Sequence, residues 1–462
     1  MDKREFLENL IERVRMLPIE DIIATRINLV KKGSNYFSLC PFHNDRRMGS
    51  FVISPNKNIF KCFSCGTGGD AIKFIALYDG ISYVESAFKI GLEFGIITYS
   101  EYDEFFNKRR YTKKEILKIE NIYTNKIKEE LKEERADEDT INKVYTLFTE
   151  ICELSDKHKK YLLEERKLNE DRLNDYFTFP TRKVMSKLEK KIEEENLSLD
   201  ILKNVPGFYY DEKKQKYSFV SYKGIGIKIR NTEGKIVGIQ IRRDNIEEKQ
   251  SRYIWFSSAF MNYKEGYNYG ASPGSPVDVV FPKKITNPII AITEGRFKAE
   301  KLAEVGFITI SVQGVTNWKS IINEIKNILN KDEYKVVYEK YVKKYHKKPY
   351  IYVCFDSDII YNYNVFTQAQ KMTDKILEEY KEVFEDINYI HWNPKKGKGI
   401  DDLMINNVNY KEELKKFSKY TFEKIYNTVL TLLMQNEKIE DFRKVDSSLF
   451  KKYFIEYTNL CS

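Results

Sequence analysis

Two short cysteine and histidine motifs near the N-terminus restrict the fold of this chain more than any other feature. Cys40 and His43 are separated by two residues, as are Cys62 and Cys65, and 18 residues lie between the pairs. Zinc takes four such ligands in a tetrahedron, and this spacing lets each pair reach one ion from a tight turn. A closed set of four ligands predicts a structural zinc. The alternative, three reduced buried cysteines beside a surface histidine, does not account for two paired motifs.

The residues around these motifs predict a zinc ribbon whose surface suits a nucleic-acid strand. "SFVIS" and "NIFKCFS" flank the turn "PNKN" and predict a β-hairpin, and "GGDAIKFIALYDG" predicts a helix. Phenylalanines and lysines of the hairpin can stack on bases and neutralise phosphates. For each of Phe51, Phe60 and Phe63, a place in the ribbon core is an equal alternative, because alternate strand residues face opposite sides. We predict that Lys57, Lys61 and Phe63 contact nucleic acid.

Composition indicates a folded chain without a membrane segment. Hydrophobic residues make up 42% of the 462 residues and charged residues 32%, and no apolar run approaches the roughly 18 residues of a membrane helix. The start "MDKREFLENLIERVRMLP" lacks the pattern of a signal peptide. Clustered cysteines favour metal binding in a reducing compartment. We therefore expect a cytoplasmic protein, and its net charge of +9 becomes informative only if it is concentrated on one face.

Changes in composition and hydrophobic pattern along the chain predict several domains of α+β and α/β type. Residues 1–100 are expected to form the zinc ribbon, and residues 101–204, rich in lysine and glutamate, a charged helical connector. Short β-like runs between Gly, Pro and Asn predict a β-rich subdomain over residues 205–285. Apolar strands alternate with helices over residues 286–405, which predicts an α/β layer with a mainly parallel sheet. Residues 406–462 are expected to form a short helical tail.

Acidic residues follow three predicted strands of the α/β layer. Glu294 ends "IIAITE", Asp356 and Asp358 follow "YIYVCF", and Asp401 and Asp402 come after the next strand and the loop "NPKKGKGI". Ligands collect at the carboxyl ends of strands in such sheets, so we expect these carboxylates to share one edge. Carboxylate oxygens suit Mg²⁺ or Mn²⁺ and phosphate chemistry. A helix-capping role for Asp401 or Asp402 is an equal alternative.

Over roughly residues 5 to 405, these segments resemble the DnaG-type DNA primases of bacteria and their phage and plasmid relatives. "NYFSLCPFHND" and "FKCFSCGTGGDAIKFI" look like the CHC2 zinc domain of that family, and "HKKYLLEERKLNEDRLNDYF" is similar to the helical lead-in to its catalytic core. "GIGIKIRNTEGKIVGIQIRRD" and "SRYIWFSS" look like the basic subdomain of that core. "ITEG" and "CFDSD" look like the Glu-Gly and Asp-x-Asp motifs of the Toprim fold, which primases share with topoisomerases and some nucleases.

The resemblance implies a site that joins ribonucleotides on single-stranded DNA. The implied ligands of Mg²⁺ or Mn²⁺ are Glu294, Asp356 and Asp358, with Asp401 completing the site and Asp402 as a further candidate. One metal ion would activate a 3′-hydroxyl and a second would steady the triphosphate. A basic track for template and nucleotide phosphates is expected at Arg230, Arg242, Arg243, Lys249, Arg252 and Tyr253.

Three positions depart from the family pattern. The family usually has an aspartate four residues after the Toprim glutamate, where this chain has Lys298, and another where it has Gly399. Both changes remove negative charge from the implied metal site, and the lysine adds a positive charge. Either the chain is a branch with fewer acidic ligands, or its metal affinity and catalysis are weakened. Gly49 stands in "RMGSF" at the place of a family proline, which relaxes the turn beside the zinc knuckle.

Three functions are consistent with these sequence features. The leading hypothesis is a DNA primase of a phage, plasmid or other mobile element, with single-stranded DNA and ribonucleoside triphosphates as partners. The second is a Toprim nuclease, because the same metal site can activate water. The third is a non-catalytic single-strand-binding accessory protein, which Lys298 supports. The sequence has no Gly-x4-Gly-Lys-Ser/Thr loop, so we expect a separate replicative helicase as a partner.

Overall fold

A computed structural model gives the architecture of the chain. It describes residues 3–43, 45, 48–108, 111–130, 134–246, 251–264, 266–274, 276–314, 318–356, 363–406, 409–439 and 447–460. Within these ranges the fold combines α+β units with an α/β unit, which confirms the predicted fold class. None of the described helices is long and apolar enough to cross a membrane.

The N-terminal unit is a small antiparallel sheet packed against helices, and its five strands stand in chain order. The strands are β1 (Val30–Lys32), β2 (Asn35–Ser38), β3 (Phe51–Ser54), β4 (Ile59–Cys62) and β5 (Gly68–Gly69), and the helices are α1 (Lys3–Arg15), α2 (Ile19–Ala24), α3 (Ala71–Asp79) and α4 (Tyr83–Glu93). β3 and β4 form the predicted hairpin. Phe51 and Phe60 are fully buried with ring centroids 5.5 Å apart, so both belong to the ribbon core.

The segment predicted as a helical connector divides between two cores. It contains α5 (Tyr99–Tyr102), α6 (Lys113–Glu130), α7 (Glu138–Glu150), α8 (Asp156–Lys160), β6 (Tyr176–Thr178) and α9 (Met185–Glu194). Tyr123 of α6 stacks on Tyr83 of the N-terminal unit, with ring centroids 5.7 Å apart. Phe148 of α7 and Leu188 of α9 are buried in the core of the following β-rich unit. The apolar spacing that predicted helices therefore marks faces that pack into folded units.

The β-rich unit consists of two antiparallel sheets, ordered β11-β10-β9-β6 and β12-β7-β8. Its remaining strands are β7 (Phe208–Asp211), β8 (Lys216–Phe219), β9 (Gly224–Arg230), β10 (Ile236–Arg243), β11 (Tyr253–Trp255) and β12 (Tyr267–Asn268). Most residues of β9 and β10 are buried, because this sheet has a hydrophobic cluster on each face: the isoleucines of β9 lie in one cluster and those of β10 in the other. Gly226 of β9 touches the ring of Phe177, where a Cβ would lie 2.3 Å from the ring, so the close approach requires glycine.

A six-stranded sheet forms the α/β unit, in the order β13-β15-β14-β16-β17-β18. The strands are β13 (Asp278–Val280), β14 (Ile290–Glu294), β15 (Ile308–Val312), β16 (Ile351–Cys354), β17 (Ile387–His391) and β18 (Lys415–Ser418), and the helices are α10 (Arg296–Glu304), α11 (Ile321–Asn330), α12 (Asp332–Tyr345), α13 (Tyr363–Tyr380), α14 (Ile400–Asn406) and α15 (Tyr410–Glu413). The four inner strands are parallel and both edge strands are antiparallel. Inner strands are buried on both faces, which explains their continuous apolar sequence.

The predicted helical tail also contributes a strand to this sheet. β18 pairs with β17, and α16 (Lys419–Asn436) and α17 (Ser447–Leu460) follow it. Phe422 and Tyr426 of α16 stack on Tyr389 and Phe366, with ring centroids 4.4 and 3.5 Å apart. The segment predicted as a helical tail thus holds helices and one strand. The sequence did not indicate the strand, because four residues that begin with two lysines are too short to show an alternating pattern.

Candidate metal centres and nucleic-acid cleft

The four predicted zinc ligands converge at one point of the ribbon. Their ligand atoms all lie within 4.8 Å of one another. Cys40 Sγ lies 3.9 Å from Cys65 Sγ, and Cys62 Sγ lies 4.0 Å from His43 Nδ1. Tetrahedral zinc with Zn–S bonds of about 2.3 Å separates two sulfurs by about 3.8 Å, so these side chains fit the ion. The N-terminal unit is therefore a structural zinc ribbon.

A glycine turn holds one ligand pair in place, and a loop carboxylate holds the other. After Cys62, which ends β4, the chain turns at Gly66, whose φ is +75° and whose N–H donates to the Cys62 carbonyl at 2.9 Å. In the first pair, the Asp45 carboxylate accepts the Cys40 N–H at 3.0 Å and the Ser50 hydroxyl at 2.8 Å. Sequence reasoning missed Asp45, because a loop carboxylate that binds nearby donors leaves no periodic signal.

Acidic side chains meet at the carboxyl ends of neighbouring strands of the six-stranded sheet. Glu294 is the last residue of β14, and Asp356 follows β16, which pairs in parallel with β14. Asp401 lies in the first turn of α14, after β17. Gly295, with a φ of +88°, turns the chain from β14 into α10. The sheet order therefore brings three predicted acids to one edge, whereas Asp358 lies outside the described residues.

Basic side chains pair with two of these carboxylates. Lys298, in the first turn of α10, forms an ion pair with Asp356, and Arg166 forms one with Asp401. Burial disfavours the charge of Lys298, but the nearby carboxylates, Asp356 above all, outweigh burial and raise its pKa above the usual value. Among the described residues, the zinc set is the one group of three or more potential ligands with this close spacing. The described acids Glu294, Asp356 and Asp401 are not in such a group.

Arg166 is a site residue that sequence reasoning missed. It lies 235 positions before Asp401, so no local spacing connects the two residues. Its guanidinium stacks over the Phe297 ring at 4.5 Å from the centroid. A second nitrogen of Arg166 lies 3.8 Å from Asp402, whose other oxygen accepts the Gly399 N–H at 3.3 Å. The capping alternative therefore describes Asp402, whereas Asp401 serves as the partner of an arginine.

A cleft of about 1260 Å³ joins the zinc ribbon to the acidic edge of the sheet. Residues from the ribbon, the β-rich unit and the α/β unit line it, among them Lys61, Phe63, Arg252, Tyr253, Trp255, Glu294, Lys298, Asp356, Lys398 and Asp401. Phe63 lies on the cleft side of the ribbon, and the Lys61 ammonium is 5.6 Å from its ring centroid. The ribbon thus presents an aromatic ring and a positive charge opposite the carboxylates.

Several predicted nucleic-acid contacts do not line this cleft. Arg242 stacks over the Tyr161 ring at 4.2 Å from the centroid. Arg243 bonds to a backbone carbonyl eight positions further on, 3.0 Å from its Nε. Lys57 lies in the turn between β3 and β4, and Lys249 is outside the described residues. Of the residues predicted for the basic track, Arg252 and Tyr253 line the cleft.

Arg230 belongs to a buried ionic network and not to the lining of the cleft. Its Nε donates to Asp175 at 2.7 Å, and the other oxygen of Asp175 accepts from Arg296 at 2.6 Å. Arg296 also pairs with Asp278 at 3.0 Å and with Glu300 at 2.8 Å. Because Arg296 begins α10, the network fastens this helix of the acidic site to the β-rich unit. A structural role therefore fits Arg230 better than the predicted phosphate contact.

We expect Arg296→Met to destabilise the folded chain. The change leaves Asp278 and Glu300, both 0% exposed, without their shared cation. Removal of one partner from a buried ion pair costs about 3 kcal/mol or more. The urea unfolding midpoint should fall accordingly, while Lys335→Met, at an exposed pair on α12, should change stability by less than about 0.5 kcal/mol. Equal midpoints for the two variants would contradict the network's structural role.

The fold and the sites define a class of protein in which a structural zinc ribbon faces an acidic α/β site across a cleft. Comparisons with known families agree with this description. A family model described as the CHC2 zinc finger matches residues 3–104. A second model, described as a domain of unknown function (DUF3854), matches residues 280–411.

Named relatives make the likeness more specific. The DNA primase of Aquifex aeolicus (strain VF5) is 32% identical over 258 residues, which cover 52% of this chain and 41% of the relative. The DNA primase of Rickettsia felis is 30% identical over 234 residues, which cover 51% and 34%. The chain thus spans less than half the length of these curated relatives. The predicted resemblance to DnaG-type primases is confirmed.

Among solved structures, the chain is similar to the zinc-binding and RNA polymerase domains of the Aquifex aeolicus primase. The match covers 97% of this chain and 92% of that one, with a TM-score of 0.40 and 19% identity.

Proposed function

We propose that this chain is a DNA primase, which synthesises short RNA primers on single-stranded DNA. The observation that carries the proposal is the cleft, with Lys61 and Phe63 on the ribbon and carboxylates on the α/β unit. Single strands bind where aromatic rings stack on bases and basic groups neutralise phosphates. Nucleotidyl transfer uses divalent metal ions at the reacting phosphate, and carboxylates are the side chains that hold such ions. Identity with named DNA primases over about half of the chain supports the same activity.

A divalent ion, Mg²⁺ or Mn²⁺, is proposed at Glu294 and Asp356, together with Asp358. Two carboxylates at neighbouring strand ends fit such an ion, since Mg²⁺ usually binds proteins through one or two carboxylates and keeps its other positions for water and phosphate. When bound, the ion would polarise the reacting phosphate and acidify the 3′-hydroxyl. Arg252 and Lys398, on the wall of the cleft, would bind the phosphates of template and nucleotide.

An assay with end-labelled single-stranded DNA, ribonucleoside triphosphates and Mg²⁺ separates this function from two others. A primase makes short complementary RNA and leaves the labelled strand at full length. Shortening of the labelled strand would indicate a nuclease. Tight binding with neither synthesis nor cutting would indicate an accessory protein, the function that the ion-paired acids favour. A separate replicative helicase and an origin in a mobile element stay predictions of the sequence.

We expect Phe63→Ala to weaken the binding of single-stranded DNA. Loss of one aromatic stacking platform costs about 1–3 kcal/mol, or roughly 5- to 150-fold in Kd. Fluorescence anisotropy with a labelled single strand measures this change. Tyr99→Ala is the matched control, because Tyr99 is 72% exposed at the start of α5 and is not among the residues that line the cleft. Equal affinities of both variants, with zinc content intact, would exclude the ribbon surface at Phe63 as the strand-binding surface.

A further inference from the structure

Asp356 is already ion-paired with a side chain of the protein, that of Lys298. The ammonium of Lys298 contacts Asp356 Oδ1, and the two side chains are only 17% and 14% exposed. A divalent ion at the same oxygen would stand beside this ammonium, and the repulsion between the two positive charges is strong in a poorly hydrated site. The residues at this oxygen therefore do not fit the second metal ion that the sequence predicted.

Gly399 leaves the space that this lysine occupies. A Cβ at position 399 would lie 2.7 Å from Lys298 Cε and 2.3 Å from Asp401 Oδ1. The φ of Gly399 lies outside the left-handed region, so the lack of space, and not the backbone conformation, calls for glycine here. Lys298 and Gly399 are the two departures from the family pattern at the acidic site. In the structure they are in contact, and the lysine side chain fits only because position 399 has no side chain. The long side chain enters where the neighbouring side chain is missing.

Asp401 also has a basic partner supplied by the protein. Its side chain is almost completely buried, and its Oδ2 accepts from Arg166. The guanidinium of Arg166 is held in place by the Phe297 ring beneath it. Burial disfavours the charge of Arg166, but Asp401 outweighs this effect and raises the pKa of the guanidinium above its usual value. Two carboxylates at this edge of the sheet therefore carry permanent positive partners.

We propose that Lys298 is a fixed cation that stands in place of a second divalent ion, so that the acidic site binds a single Mg²⁺ or Mn²⁺. The proposal rests on the proposed primase function and specifies which cations balance the negative charge of its acidic site. An ammonium carries one positive charge and three N–H donors, so it binds phosphate oxygens through hydrogen bonds. The lysine would bind the phosphates of the incoming nucleotide, and Glu294 and Asp356 would hold the one divalent ion.

A Mn²⁺ titration of the zinc-loaded full chain tests this proposal without template or nucleotide. The electron paramagnetic resonance signal of free Mn²⁺ gives the number of ions bound. We expect one Mn²⁺ for the wild type and two for Lys298→Asp, which replaces the fixed cation with a carboxylate. Lys340→Asp makes the same charge change on an exposed position of α12 and should still bind one Mn²⁺.

Two outcomes would overturn the proposal. One is two Mn²⁺ ions bound by the wild type, and the other is no gain of a site in a folded Lys298→Asp protein. The titration also separates this inference from the proposed function. A protein that copies no DNA but binds one Mn²⁺, and two after Lys298→Asp, keeps the inference and loses the function. A primase that binds two Mn²⁺ ions as the wild type keeps the function and loses the inference.

Lys298→Gln covers the case in which Lys298→Asp does not fold. Glutamine keeps a polar side chain of similar reach but removes the positive charge beside the metal site. The Kd for the single Mn²⁺ should then tighten by about tenfold, because a neighbouring like charge is lost. An unchanged Kd would show that the ammonium does not share the site with the ion, and would overturn the proposal.

Discussion

Asp356→Asn is expected to reduce template-directed RNA synthesis by at least about 1000-fold, which corresponds to about 4 kcal/mol of transition-state stabilisation. Asp356 is one of two described carboxylates proposed to hold the divalent ion, and asparagine keeps its shape while it removes its charge. The substitution also takes away the acidic partner of Lys298. The initial rate of ribonucleotide incorporation at saturating Mg²⁺ measures the loss.

The same variant should bind single-stranded DNA almost as well as the wild type. The ribbon surface at Lys61 and Phe63 is unchanged, and the removal of a negative charge does not weaken phosphate binding. Asp332→Asn is the matched control, since Asp332 is 97% exposed in the first turn of α12. A rate for Asp356→Asn within tenfold of the control would contradict the assignment of this carboxylate to the reaction.

Cys62→Ser is expected to remove the zinc and unfold the ribbon. Cys62 ends β4 with 0% exposure, and its sulfur lies among the other three ligand atoms. Structural zinc contributes folding free energy on the order of 10 kcal/mol in small zinc units. Zinc content should fall from about one ion per chain to near zero, and affinity for single-stranded DNA should fall with it. The α/β unit should stay folded, because its core is a separate cluster.

Cys152→Ser provides the control for this loss. Cys152 follows α7, and its thiol donates to the Phe148 carbonyl at 3.1 Å, far along the chain from the zinc ligands. Burial raises the pKa of this thiol to about 12, so it stays protonated at neutral pH. Metal analysis should give one zinc per chain for this variant. Zinc retained in Cys62→Ser, or lost from both variants, would contradict the ligand assignment.

The zinc ligands and the order of the acids were predictable because both depend on short-range patterns. Cys40 with His43 and Cys62 with Cys65 are close pairs whose spacing already carries the geometry of a metal site. Acids directly after buried strands reach one edge of the sheet as soon as the strands are parallel. In both cases a local sequence feature and one general rule of protein architecture were sufficient to predict which side chains come together.

Contacts between distant segments were not predictable. Arg166 and Asp401 are separated by 235 positions, and only the folded chain brings them together. Arg230 has the charge of a phosphate-binding residue, but its guanidinium is ion-paired with Asp175, which lies 55 positions earlier in the chain. Lys298 was visible in the sequence as a departure, whereas its fit beside Gly399 required the positions of both backbones.

The central claim, that this cleft copies a single strand, is tested most directly by the template dependence of the product. Two single-stranded templates are needed that differ only in whether they contain deoxyguanosine. We expect label from CTP to enter short RNA on the template with deoxyguanosine and not on the other, while label from ATP enters on both if both contain thymidine. Incorporation of CTP on both templates, or no incorporation on either by a zinc-loaded protein that binds the strand, would contradict the account.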